Sequence, residues 1–228
     1  MLHRLISFIL LICIKLFSHT FFKLKQIWLG EPAKDWNKIK LIVFLNHTSL
    51  FEPLFIAAFP WSQLWRIASH LVAPGADVTL KRPFVGKIYK YLSPNIVAIS
   101  RQRDATWDLF MQKIHHNPKS VVLILPEGRM KRLNGLDKDG NPMSVRGGIA
   151  DILLLMGEGE MLLAYSRGLH HIHYPGKLYP NLFKNLQLKT EIVSILDYKN
   201  QFDHDPEDPK IFKNAVVADL ENRIKSHC

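Results

Sequence analysis

The chain has only two cysteines, Cys13 and Cys228, near its opposite ends. They cannot build a disulfide framework or a paired-cysteine metal site, and such sparse usage fits a reducing compartment. Several familiar catalytic signatures are also missing. There is no G-x-S-x-G nucleophile elbow, no G-x-x-x-x-G-K-[ST] phosphate loop and no G-x-G-x-x-G dinucleotide turn. The histidine pairs His115-His116 and His170-His171 have no carboxylate at helical metal-binding spacing, so no metal site is expected. Neither an internal repeat nor a low-complexity tract is present. Acidic side chains are outnumbered, 20 against 30 basic ones, and the net charge of +10 points to an anionic partner. The basic residues are spread along the chain rather than interleaved with aromatics in one block, so nucleic acid is not the expected partner.

What is present is apolar material. Of 228 residues, 47% are hydrophobic, enough for one packed domain with or without an anchor. Leu5–Ile14 is an apolar run, continued less cleanly through Lys15 and His19 to Phe22. No small-x-small cleavage site follows it. Its apolar side chains favour insertion by roughly 4–7 kcal/mol, and Lys15 near the middle costs about 3. On a helical wheel Arg4, Ser7, Lys15, Ser18 and Lys25 form one narrow seam, the pattern of a helix lying in the interface. A helix packed on its own domain has the same appearance. The expected organisation is therefore a membrane-anchoring helix over residues 1–30, with Glu31 to Lys38 as a link, and a catalytic domain over residues 31–228.

Beyond the link, strand and helix patterns alternate. Lys40–Leu45 reads as a strand and Glu52–Phe59 as a short helix stopped by Pro60. Trp65–Ser69 reads as a strand, Pro83–Leu92 as a helix, Asn95–Ser100 as a strand and Asp104–His115 as a helix. Ser120–Leu125 is an apolar, β-branched run suited to a buried parallel strand. A long polar loop from Pro126 to Val145 follows, and loops of that length inside a domain are usually functional. Gly147–Met156 predicts a helix, Met161–Tyr165 and Leu186–Leu196 predict strands, and Ile211–Ile224 predicts a final helix. This order argues an α/β fold with a mainly parallel mixed sheet flanked by helices.

Polar clusters stand where three of these strands end. Asn46-His47 follows the first, Arg101-Gln102-Arg103 follows Asn95–Ser100, and Glu127-Gly128-Arg129 with Lys131 and Arg132 follows Ser120–Leu125. Ligands of open parallel sheets collect at the carboxyl ends of strands, and guanidinium groups there suit a phosphate. His47 and Glu52 are five residues apart, which a continuous helix would rotate away from each other. They meet only if the chain turns between them; a carboxylate-oriented imidazole is then a general base. Ser49-Leu-Phe-Glu52 is equally a capping box, with Ser49 as N-cap and Glu52 reaching back.

Taken together, these segments resemble the phospholipid/glycerol acyltransferase family. Asn46-His47-Thr-Ser-Leu-Phe-Glu52 resembles its N-H-x-x-x-x-D motif. Ile99-Ser-Arg101 falls at its second block, and Leu125-Pro-Glu-Gly-Arg129 resembles its third, F-P-E-G-T-R. Val145-Arg-Gly-Gly-Ile-Ala150 looks like the basic helix start that follows, and Met161–Tyr165 sits where the fourth block would be. Glu52 replaces the family's Asp, the Thr of the third block is absent, and the fourth block lacks its Pro. The role of the third-block Arg thus falls to Arg129, Lys131 or Arg132. The resemblance implies an N-terminal membrane-associated helix and a membrane enzyme at the cytoplasmic face. Membrane lipids are its partners, and it requires no cofactor. By that resemblance His47 and Glu52 are catalytic, and Asn46, Arg101, Glu127, Gly128, Arg129 and Lys131 bind substrate. The acyl donor would be acyl-CoA or acyl-carrier protein, and the acceptor lysophosphatidic acid or another lysolipid. The competing expectations are a non-catalytic basic membrane-binding protein and a lipid hydrolase or thioesterase using the same pair on water.

Overall fold

The structure is a computed structural model that describes residues 1–100, 104–174, 177, 179–202 and 208–228. In chain order its elements begin with helix α1 (Leu2–Phe21), strand β1 (Lys23–Trp28), strand β2 (Ile39–Leu45) and a 3₁₀ helix (Glu52–Ala58). Helix α2 (Leu64–His70), β3 (Leu71–Ala76), α3 (Asp77–Leu80), α4 (Val85–Leu92) and β4 (Asn95–Ile99) follow. Next come α5 (Ala105–His115), β5 (Val121–Ile124), α6 (Gly148–Leu155), β6 (Glu160–Arg167) and α7 (Leu169–Ile172). Strand β7 (Asn185–Ser194), α8 (Ile195–Asn200) and α9 (Pro209–His227) close the chain.

Among the described residues the strands form one seven-stranded sheet in the order β1-β7-β6-β2-β5-β3-β4. Every neighbouring pair is parallel except β6 with β7. The expected α/β class and mainly parallel mixed sheet are therefore what the chain adopts. Side chains alternate across β2 as the period of two requires. Leu41, Val43 and Leu45 pack towards α5, α6 and α9 through Phe110, Ile149 and Phe212. Ile42 and Phe44 pack the other way, towards Leu11 of α1, Phe55 of the 3₁₀ helix and Leu64 of α2. Both faces of β2 are covered, which explains its unbroken apolar sequence.

Four elements differ from their sequence expectation. Trp65–Ser69, read as a strand, lies inside α2; Leu64, Ile67 and Ala68 are its buried positions, an i, i+3, i+4 spacing rather than alternation. Strand β3 was not expected, because Pro74-Gly75 reads as a breaker. Its pairing with β5 stops at Val72, before that proline, while its ladder with β4 runs on to Ala76. Strand β1 lies within residues 1–30 and pairs in parallel with β7 at the sheet edge, so the chain enters the sheet ahead of residue 31. The lysines of β1 are exposed, which made it look like the tail of the helix before it. The last predicted strand stops at Ser194, whose hydroxyl accepts the Asp197 N–H and starts α8.

Helix α1 is turned inside out relative to a soluble surface helix. Ser7, Leu11, Lys15 and Ser18 are buried against the domain, whereas Leu2, Ile9 and Leu16 are 71%, 52% and 52% exposed. The Ser7 hydroxyl donates to Leu92 O at 2.7 Å. The Lys15 ammonium donates to Ala57 O at 2.7 Å and Phe59 O at 2.6 Å, and stands 4.8 Å from the Trp61 ring centre. Of the polar seam on the helical wheel, Ser7, Lys15 and Ser18 face protein, whereas Arg4 is exposed and Lys25 lies beyond the helix, exposed on β1. The side pointing away from the domain is apolar.

Candidate active site

Strand β2 delivers the centre of the site. After Leu45 the chain reverses direction at Asn46, whose φ is 67°; asparagine is among the few side chains that tolerate the left-handed region. The turn aims His47 back over the 3₁₀ helix, and its Nδ1 lies 2.8 Å from Glu52 Oε1. The two side chains are 14% and 9% exposed. The same Oε1 accepts the Ser49 N–H at 3.3 Å, and Ser49 Oγ accepts the Phe51 N–H at 3.3 Å. Only half of the expected capping box forms: Glu52 reaches back to the Ser49 N–H, but Phe51, not Ser49, is the N-cap of the 3₁₀ helix and no side chain caps it. The same carboxylate oxygen holds the imidazole. A carboxylate at Nδ1 requires the proton on that nitrogen and leaves Nε2 as the basic one. Burial pulls the His47 pKa down, but the Glu52 charge, the Glu52 hydrogen bond and the Glu127 charge outweigh it and raise it above 6.5.

Glu127, from the loop after β5, fixes the backbone of that turn. Its Oε1 accepts the Asn46 N–H at 3.1 Å and its Oε2 the His47 N–H at 2.6 Å. Burial pushes its carboxyl above the usual range, against the pull of the His47 N–H, the His47 charge, the Asn46 N–H and Lys131. Lys131 N donates to His47 O at 2.8 Å, and Lys131 Nζ donates to Asn46 Oδ1 at 3.1 Å. The Asn46 amide donates to Ser166 O at 2.8 Å, while Ser166 Oγ donates to Asn46 O at 2.9 Å. Asn46, Glu127 and Lys131 therefore converge on His47, as a scaffold holding the backbone around it.

Gly128 has φ 65°, and a Cβ there would meet only Arg146 Cγ at 3.8 Å. The glycine serves the backbone conformation rather than close packing. The Arg129 guanidinium is ion-paired with Asp137, a buried carboxylate that also accepts the Asp139 and Asn141 N–H groups. Those hydrogen bonds, led by Asn141, hold Asp137 down at about 2 against the effect of burial. Arg101 lies outside the described residues. Two contributors had gone unnoticed. Ser166 carries no sequence signal and enters only because β6 lies beside β2. Arg146 stands in the basic helix start already noted, and among the described residues its side chain has no ion pair.

His47 and Glu52 line a cavity of about 610 Å³, within the range of small-molecule sites. One part of its wall is apolar, formed by Ile42, Phe44, Ile56, Leu71, Leu80 and Leu92. Arg129, Arg146, Lys213 and Asp151 form a charged part, in which Lys213 and Asp151 pair at 2.9 Å. Gly148 lets the start of α6 approach closely, since a Cβ there would fall 2.7 Å from the Trp107 ring. The cavity thus combines an apolar lining and a cationic lining with the buried His47–Glu52 pair.

No family model and no curated protein sequence matches the chain. Among solved structures it is similar to the crystal structure of the 1-acyl-sn-glycerophosphate (LPA) acyltransferase PlsC from Thermotoga maritima. The TM-score is 0.54 at 18% sequence identity, over 93% of this chain and 79% of that one. This chain thus shares the overall fold of that acyltransferase.

Proposed function

We propose that the protein is a membrane-associated acyltransferase. It moves a fatty acyl group from acyl-CoA or acyl-carrier protein to the hydroxyl of a lysophospholipid such as lysophosphatidic acid. The observation that carries this reading is the His47–Glu52 contact of 2.8 Å at a cavity with both an apolar and a cationic wall. The fold shared with the Thermotoga maritima enzyme supports it.

In this reading His47 Nε2 takes the proton of the acceptor hydroxyl as its oxygen attacks the thioester carbonyl. The new C–O bond forms, the C–S bond breaks, and the imidazolium returns its proton to the leaving thiolate. Glu52 keeps the proton on Nδ1 and stabilises the imidazolium. A thioester is already activated, so no covalent enzyme intermediate is needed. The apolar wall receives the acyl chain. Arg146 supplies the cation for the acceptor phosphate, with Arg129 beside it already partnered by Asp137; by the family resemblance alone, Arg101 is a further substrate-binding residue.

The outward apolar face of α1 supports membrane association. Trp61, Trp65, Phe84, Ile88 and Tyr91 extend it as exposed large side chains, and Phe8 of α1 packs edge-on against Trp65. Tryptophan and tyrosine suit the headgroup level. The net charge of +10 favours the anionic cytoplasmic leaflet. Here α1 is the anchor, and both substrates, being amphiphiles, are met at the interface.

The test is lipid mass spectrometry of the purified protein given mixed acyl donors and a lysolipid panel. His47→Ala should lower transfer by roughly 10²–10⁴-fold, the usual worth of a positioned base, with an unchanged circular dichroism spectrum. Near wild-type transfer by that variant, or free fatty acid as the sole product of the wild type, would overturn the reading.

A further inference from the structure

A second cavity lies across the Asn46–Thr48 segment from the first. It is an open groove of about 920 Å³. Asn46 and Thr48 line this groove, whereas His47 between them lines the apolar cavity. The groove is built from the start of β1, the loop after β5, the end of β6 with α7, and the start of β7. Its lining includes Lys23, Lys25, Lys131, Arg132 and Arg167, together with His170 and His171, and no side-chain carboxylate.

The sheet register explains how these charges come together. Gln187 of β7 pairs with Lys25 of β1 on one side and with Arg167 of β6 on the other. Asn185 pairs with Lys23. Residues in register on neighbouring strands share a face about 4.8 Å apart. Lys25, Gln187 and Arg167 therefore form a transverse row, with Lys23 and Asn185 one step along the same face. An amide stands between the two cations, which softens the repulsion that directly opposed like charges would suffer. Among the described residues Lys23, Lys25, Arg132 and Arg167 have no ion pair or side-chain hydrogen bond. These four cations share one concavity with no Asp or Glu side chain in its lining, which also includes the last residue, Cys228, and an anionic ligand relieves their repulsion.

The charge count selects the ligand. One phosphomonoester carries about −1.5 to −2, too little to match four open cations spread over two strands and a loop. Several phosphates on one small molecule match them. We infer that this groove binds the phosphate-rich nucleotide end of coenzyme A, which makes acyl-CoA the donor. The inference rests on the acyltransfer reading. It adds that the donor straddles the Asn46–Thr48 segment, with phosphates on one side and acyl chain on the other. The thioester then falls at His47, which lines the apolar cavity between the two groove-lining residues Asn46 and Thr48. Cations and amide donors of this kind suit phosphate oxygens.

The experiment is isothermal titration of the full-length protein in detergent micelles with free coenzyme A, and with adenosine as the phosphate-free control. Coenzyme A should bind and adenosine should not. Lys25→Gln and Arg167→Gln should each weaken coenzyme A binding by roughly tenfold, about one charge-assisted hydrogen bond. Both side chains are exposed, so a matching Lys34→Gln control on an exposed surface lysine should leave binding unchanged. Absence of coenzyme A binding, or affinity within about twofold of wild type in the Lys25/Arg167 double variant, would overturn the inference. If His47-dependent transfer then proceeds from acyl-carrier protein, the groove assignment has failed and acyl transfer stands. If coenzyme A binds through these cations but no acyl group is transferred, the groove stands and acyl transfer has failed.

Discussion

Replacing Glu127 tests whether it touches substrate or holds the protein's own backbone. Its two oxygens are already occupied, one by the Asn46 N–H at 3.1 Å and one by the His47 N–H at 2.6 Å, and the residue is 3% exposed. A hydrogen bond to a charged group is worth about 1.5–3 kcal/mol, and a buried donor left alone costs about 1–3. Glu127→Gln keeps one acceptor and turns an amide N–H towards the other backbone donor. It also removes a carboxyl whose ionisation burial opposes, so the net loss should be about 1–3 kcal/mol. Glu127→Ala strands both donors and leaves a void, and should cost about 3–5 kcal/mol. Urea unfolding in detergent reads both values. The kinetic signature is sharper. Loosening the Asn46–His47 turn misplaces the base, and a shift of about 1 Å costs on the order of 10²-fold in rate. In Glu127→Gln, kcat should therefore fall by roughly 10²-fold while KM for either substrate changes by less than about threefold. A large rise in acceptor KM at unchanged kcat would show that Glu127 binds substrate, and the scaffold argument would be wrong.

Two further predictions concern the base and the anchor. Because Glu52 and Glu127 raise the His47 pKa above 6.5, the ascending limb of kcat/KM should lie above pH 6.5. Glu52→Gln removes the main raising causes, leaves burial dominant and should move that limb to lower pH; an unmoved limb would mean that His47 is not the titrating base. The same linkage makes the His47–Glu52 contribution to stability complete below pH 6.5 and lost as pH rises through the folded-state pKa, which the melting temperature can follow. Lys15→Met should destabilise the protein by about 2–3 kcal/mol, because it strips the charged donor from Ala57 O and Phe59 O. Were α1 to cross the bilayer apart from the domain, the same change would improve insertion and leave domain stability alone.

How much was legible in the sequence depends on how local each feature is. The His47–Glu52 pair was readable because one strand end and one capping box, within seven residues, contain it. The clamp on it was not, because Glu127 reaches across 80 residues to the His47 N–H. Glu127, Asn46 and Lys131 were singled out as substrate contacts, and the structure gives each of them a bond to the turn itself. Arg129 was readable as a cation near the site, but its capture by Asp137 depends on the path of an aperiodic loop. The seam of α1 was visible from periodicity. Periodicity identifies a face without saying whether water or protein covers it, and here Lys15 finds three protein carbonyls. Strand β3 was hidden by Pro74, whose neighbour strand simply stops pairing before reaching it.

The short 3₁₀ helix connects these observations. Its first residue is Glu52, whose carboxylate orients the imidazole, and its last carbonyls are those that Lys15 of α1 holds. Tyr89 of α4 braces the approach to it, donating its hydroxyl to Leu50 O at 2.8 Å; burial and the Glu52 charge raise its pKa and keep it a donor. A 3₁₀ helix has poorer hydrogen-bond geometry than an α-helix and rarely persists far without support. Here the support comes from outside, by the capping turn at one end and by a buried ammonium at the other. That ammonium belongs to the helix whose opposite face is apolar and exposed. The helix with the exposed apolar face is therefore also the element that holds the end of the 3₁₀ helix carrying Glu52. In the acyltransfer reading this explains why a lysine persists in the middle of an otherwise apolar anchor. Its place is set by the carbonyls of Ala57 and Phe59, not by the bilayer.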